Sequence, residues 1–162
     1  MKEFLDKISS YHFFNYLLPG ILFAYILVNT TTYSFIQNNL IVGAFVYYFI
    51  GLVISRFGSL IIEPILKKLS LLKFASYSDF VSASKKDPKL ETLSETNNMY
   101  RTICSMFILI LLLLAYQFVE LKFPVIGQWN LFILVVLLLV IFISSYKKQT
   151  EYITKRIKAN NK

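Results

Sequence analysis

The chain has 162 residues, 56% of them hydrophobic and 16% charged, with a net charge of +8 and a mean hydropathy of +0.59. On length this is one domain. Its apolarity excludes a disordered chain, and a single cysteine excludes an intrachain disulfide framework. The excess of 17 Lys+Arg over 9 Asp+Glu leaves a basic nucleic-acid binder open until the placement of the charges is considered.

In chain order, four apolar segments approach the roughly 20 residues that a helix needs to cross a bilayer. They are residues 11–28, 36–56, 100–119 and 129–146. The fourth contains LFILVVLLLVIFI, which shows neither the alternation of a barrel strand nor the polar interruptions of a soluble helix. A spanning segment must satisfy its own backbone hydrogen bonds, so the expected fold is all-α: a polytopic membrane protein of four transmembrane helices with cytoplasmic helical extensions. The first segment is interrupted by Asn15 and by Pro19-Gly20, and no A-x-A-like site follows it, so it does not read as a cleaved signal peptide.

Between these segments the charges are placed asymmetrically. Lys2 and Lys7 precede the first span, and NTTTYSFIQNN after it carries no charge. Eight basic residues lie between Ser55 and Arg101, only Lys122 lies between Glu120 and Asn130, and six lie in the tail. With four alternating spans, 16 of the 17 basic residues fall on one side. The positive-inside rule makes that side cytoplasmic, with both termini inside. The rings of Tyr11, Phe13, Phe14, Tyr16, Tyr100, Trp129 and Tyr146 sit near span ends, where amphipathic aromatics belong. Net charge is thereby explained largely as topology, and no direct nucleic-acid contact is expected.

The cytoplasmic region, 57–99, begins as a continuation of the second span. Arg56, Ser59, Glu63, Lys67 and Ser70 recur at helical spacing as one polar stripe, with apolar residues on the other faces. Glu63 precedes Lys67 by four residues, the favourable order for a helical pair. Pro64 should kink this helix or break it from what precedes. The wide apolar face is expected to pack on helices of this chain or a partner, or else to lie in the membrane interface. Asp87-Pro88 reads as a helix start, with Asp87 capping a helix that runs directly into the third span as a stalk. In the tail, 147–162, Tyr146, Thr150, Ile153 and Ile157 form one face and Lys147, Lys148, Lys155 and Lys158 lie away from it. Such a tail suits anionic lipid or an acidic partner.

The residues offer no enzymatic chemistry. One histidine and one cysteine cannot build a Cys/His metal site in one protomer, and no phosphate-binding, metalloprotease or nucleophile-elbow motif is present. No catalytic residue, cofactor or metal is expected. His12 reads as an interfacial anchor and Cys104 as a small apolar filler. Polar residues within spans remain as candidates, because they are costly there. Asn15 with Pro19 and Gly20 is a candidate hinge or a polar point on a bundle axis. Gly51, Ser55 and Ser59 follow a small-xxx-small register, a candidate helix–helix interface within or between protomers. Arg56 either snorkels to the cytoplasmic surface or, if the span extends to Leu60, needs a partner such as Glu63. Arg56, Glu63, Lys67, Lys155, Arg156 and Lys158 are candidate contacts for a cytoplasmic partner.

The four-span layout, with YHFFNYLLPG and FASYSDFVSASKKDP, resembles the small membrane components of bacterial anti-phage systems, in particular the membrane subunit of the Kiwa system. The resemblance is of architecture and rests on no diagnostic motif, so it carries over no functional residue. It implies a non-enzymatic homo-oligomer of the bacterial inner membrane that senses infection and holds a cytosolic DNA-binding protein. A pore that dissipates the membrane gradient is the alternative.

Overall fold

The computed structural model describes residues 10–160. Lys2, Lys7 and Lys162 lie outside the described residues. The described chain is built from helices with no strand among them, and four helical stretches are long and apolar enough to cross a membrane. These are α1 (Phe13–Thr30), α2 (Leu40–Lys68), α4 (Lys89–Lys122) and the stretch Pro124–Asn160, whose α-helical part is α5 (Asn130–Asn160). Between α2 and α4 lies α3 (Tyr77–Lys86). The protein is therefore an all-α polytopic membrane protein.

Contacts between helix ends fix the topology. Tyr33 and Thr32, after α1, bond Glu120 and Gln117 near the end of α4, so α1 and α4 run the same way. Asn15 meets Ser55 and His12 meets Tyr48, so α2 runs against α1. Tyr116 meets Asn130 at one end of α5, and Lys148 meets Ser59 towards the other, so α5 runs against α4. Of the basic residues described, all but Lys122 gather at one end, here termed the basic end.

The helix boundaries differ from those expected at several points. The second helix starts at Leu40 rather than near residue 36, because the Asn39 side chain caps it by accepting from the backbone N–H groups of Ile41 and Val42. It then continues to Lys68 as one helix, so 57–68 is an extension of the span. Pro64 does not break it. A π-turn, Gly58–Ile62, precedes the proline, and the Glu63 N–H reaches back five residues to the Gly58 carbonyl. Pro19 is accommodated in the same way by a π-turn at Phe13–Leu17, with the Leu18 N–H on the Phe13 carbonyl. Proline lacks the N–H that would continue the ordinary ladder, and the wider turn absorbs the mismatch. Ser70 leaves the helical stripe altogether and turns the chain at φ 59°. Further on, Asp87 accepts from the Lys89 N–H at 3.0 Å, and one helix of 34 residues then runs from Lys89 through the third span. Thus 89–99 is the stalk expected, with the helix beginning one residue after Pro88. The fourth helix likewise continues past residue 146 to Asn160.

The core is small and lies between α1, α2 and α4, formed by Phe23, Leu27, Ile54, Met106 and Ile110. Two glycines bring α1 and α2 into backbone contact. A β-carbon on Gly51 would overlap the Tyr16 carbonyl, and one on Gly20 would overlap the Tyr47 carbonyl. The four residues form a reciprocal pair of notches, each glycine receiving the carbonyl of the facing helix, as small residues permit in membranes. By contrast α5 buries no residue. It is held by Phe49–Phe142 stacking (5.9 Å) in the middle and by polar contacts towards its ends.

Outward faces are apolar along the spans. Leu131, Val135, Leu139 and Ile143 of α5 are exposed, as are Leu111 and Leu112 of α4. The same inversion governs the second helix beyond residue 56. Ser59 and Glu63 are buried while Ile61 and Ile65 are exposed. Of the apolar face of 57–68, Ile62 packs inward while Ile61 and Ile65 are turned away from this chain's own helices, open to lipid or a partner; of the polar stripe, Ser59 and Glu63 face inward. Cys104 too lies exposed on α4 rather than filling a gap in the core.

Candidate functional site

The polar residues within the spans converge towards the basic end. At their centre is Asn15, fully buried. Its amide donates towards Tyr11 Oη (3.3 Å) and Ser55 Oγ (3.5 Å), and its Oδ1 accepts from Thr102 Oγ1 at 2.9 Å. Thr102 also bonds the Asn98 carbonyl, and Ser105 bonds the Arg101 carbonyl at 2.6 Å. One side chain on α1 therefore ties α2 and α4 together where no water is available to satisfy it, and such bonds contribute about 0.6 kcal/mol each on average within membranes. Asn15 is thus a polar point at the centre of the chain's own bundle.

About two turns further along α2 from Ser55, Glu63 gathers two cations. Lys67 Nζ lies 2.8 Å from its Oε1 and Arg101 NH1 2.6 Å from its Oε2. The Lys67 pair is the helical one expected. The Arg101 bond crosses from α2 to α4 and is the more buried of the two. From α5, Lys148 Nζ reaches Ser59, at 2.5 Å from its carbonyl and 2.8 Å from its hydroxyl. Lys148 is thus turned towards the bundle, whereas the tail pattern had placed it on the outer, basic face. Tyr146, Ile153 and Ile157 take the exposed side instead. Tyr152 stacks on Tyr77 of α3 at 6.0 Å, joining the basic end of α5 to the short helix.

Of the other expected residues, Gly51, Ser55 and Ser59 do form a helix contact, but within the chain: with Tyr16, Asn15 and Lys148 respectively. Gly20 belongs to the same contact through Tyr47, and Pro19 is buried beside it. Arg56 lines a pocket with Ser59, Leu60, Ser145, Lys148, Gln149 and Tyr152. Counted from Leu40, Arg56 lies about 24 Å along the helix, towards the end of the roughly 30 Å that a span needs. Lys155, Arg156 and Lys158 stand apart, exposed on the projecting end of α5. His12 sits among Tyr11, Tyr16 and Tyr48, with its Nδ1 3.2 Å from Tyr48 Oη.

A second polar cluster, at the opposite end, escaped the sequence reading. Glu120 accepts from Tyr33 Oη and from the Asn130 amide (2.8 Å), and Tyr116 donates to Asn130 at 2.6 Å. Burial and the Glu120 carboxylate hold the Tyr33 phenol above its ordinary pKa, so it remains a donor. The signal available was Glu120 itself, the one acidic residue between Glu95 and Glu151. Thr102 and Ser105 were missed as well, although Asn98, Thr102 and Ser105 repeat at steps of four and three.

Among the described residues no group of His, Cys, Asp and Glu could hold a metal ion. No family model, curated protein or solved structure matches the chain.

Proposed function

We propose that the chain is a non-enzymatic, oligomeric subunit of a bacterial inner membrane, with both termini cytoplasmic, that anchors a cytosolic DNA-binding protein and responds to infection. The observation that carries this reading is the uneven distribution of structure outside the bilayer. At the basic end α2, α4 and α5 all continue past their apolar stretches, and α3 packs among them through buried Val81 and the Tyr77–Tyr152 stack. At the other end there are only short connections. The basic end presents Lys85, Lys86 and Lys89 with exposed Leu93 and, on the projecting end of α5, Lys155, Arg156 and Lys158 with exposed Ile153 and Ile157. A charged rim around apolar anchors is the composition of a protein-docking surface. The positive-inside rule supports the orientation, and the resemblance to anti-phage membrane components supplies the biological setting.

Co-expression with soluble proteins encoded beside this chain tests the reading. The full chain in detergent is expected to retain one of them, and the K155Q/R156Q/K158Q variant to lose it at equal expression. Retention unaffected by that variant, or membrane depolarisation when this chain is expressed alone, would contradict it and favour the pore.

A further inference from the structure

We propose that the pocket between α2 and α5 at the basic end is a binding site for the phosphate of an anionic phospholipid. The first ground is charge. Arg56 and Lys148 line the pocket, Arg101 and Lys67 lie near enough to act on Lys148 as well, and Glu63 is the one carboxylate that does so. Glu63 is already engaged by Lys67 and Arg101. Arg56 has no ion-pair or hydrogen-bond partner among the described residues. Three positive charges in excess at the edge of hydrocarbon are costly unless an anion joins them.

Unused donors are the second ground. The Ser145 hydroxyl is buried, lines the pocket and bonds nothing. An ammonium has three donors, and Lys148 spends two on Ser59. The guanidinium of Arg56 has a planar fork suited to phosphate oxygens. The pocket proper is about 20 Å³, room for about one water-sized group. A single phosphoryl oxygen fits there against Ser145 and Lys148, with the remainder of the phosphate at the mouth against Arg56.

Depth is the third ground. Arg56 and Ser59 lie about 24 and 28 Å from the start of α2, and Ser145 and Lys148 about 22 and 27 Å from the start of α5. Both helices thus place the pocket where hydrocarbon of about 30 Å gives way to headgroups. Basic pockets between spanning helices at this level are suited to lipid headgroups. The apolar flank of the pocket, Leu60, and the exposed rows of α2 and α5 on either side offer a path for acyl chains.

The test is titration of the delipidated full chain in detergent with phosphatidylglycerol or phosphatidylcholine, followed by native mass spectrometry. Phosphatidylglycerol should bind at least about fivefold more tightly, the equivalent of one charge contact. R56Q should lower that affinity about fivefold, S145A should lower it to a smaller extent, and K85Q/K86Q should leave it unchanged. If R56Q proves unstable, S145A carries the test, since its hydroxyl bonds nothing in the protein. Equal binding by wild type, R56Q and S145A would overturn the proposal. So would an equal loss in K85Q/K86Q, which would mean general surface attraction. Displacement of the lipid by millimolar inorganic phosphate would assign the site to free phosphate instead.

Discussion

Replacing Gly51 by leucine should lower the thermal midpoint of the detergent-solubilised protein by about 6–12 °C, corresponding to about 3 kcal/mol for a chain of this size. The reason is the reciprocal notch between α1 and α2. A side chain at Gly51 meets the Tyr16 carbonyl, which is backbone and cannot rotate away. Relief requires the two helices to separate, and separation withdraws Gly20 from Tyr47 and Asn15 from Ser55 together. Gly43→Ala is the control on the same helix. Its β-carbon would lie 3.2 Å from the Tyr47 ring, a side-chain contact that can yield, and the midpoint should move little. Fluorescence-monitored unfolding of the two variants checks the contrast.

Glu63→Gln should be comparably damaging for an electrostatic reason. The carboxylate is nearly buried and is the one acidic group among four cations. Breaking a buried pair by removing one partner costs about 3–5 kcal/mol. Here the lower end applies, because the Lys67 side chain is 43% exposed and can turn to water. Arg101, 19% exposed, cannot do so as readily. The double variant E63Q/R101Q should therefore be more stable than the sum of its single variants predicts, with a coupling of at least about 1 kcal/mol. Chemical unfolding of wild type, both single variants and the double variant measures it. Additivity would mean that the Glu63–Arg101 bond does not join α2 to α4.

How legible this architecture was depended on which physical rule applied. The four apolar runs are readable by length alone, and the stalk from Lys89 by its capping residues. The stripe Arg56, Ser59, Glu63, Lys67 was visible too, but whether its apolar flanks face lipid or other helices was left open by spacing alone. In lipid the apolar residues Ile61 and Ile65 face outward, while Ser59 and Glu63 face the bundle. Lys148 likewise turns inward. Local pairs such as Glu63–Lys67 follow from spacing on one helix. The Arg101 partner does not, because 38 residues separate it from Glu63 and only the packing of α4 on α2 brings them together. Pro19 and Pro64 were recognisable as disturbances of the helix, yet a π-turn, a break and a kink share one sequence signal. Thr102 and Ser105 were hidden because hydroxyls in a span can return a bond to their own helix, and both do.

Four spans with both ends of the chain on the cytoplasmic side assign each connection to a fixed side of the membrane. Single cysteines at Asn38, Gln128, Ser84 and Ala159, in a Cys104→Ser background, can be probed with a membrane-impermeant maleimide in intact cells and after permeabilisation. Labelling of positions 38 and 128 in intact cells, with 84 and 159 reacting only after permeabilisation, is the expected result. Labelling of 84 or 159 in intact cells, or of 38 and 128 from opposite sides, would contradict it.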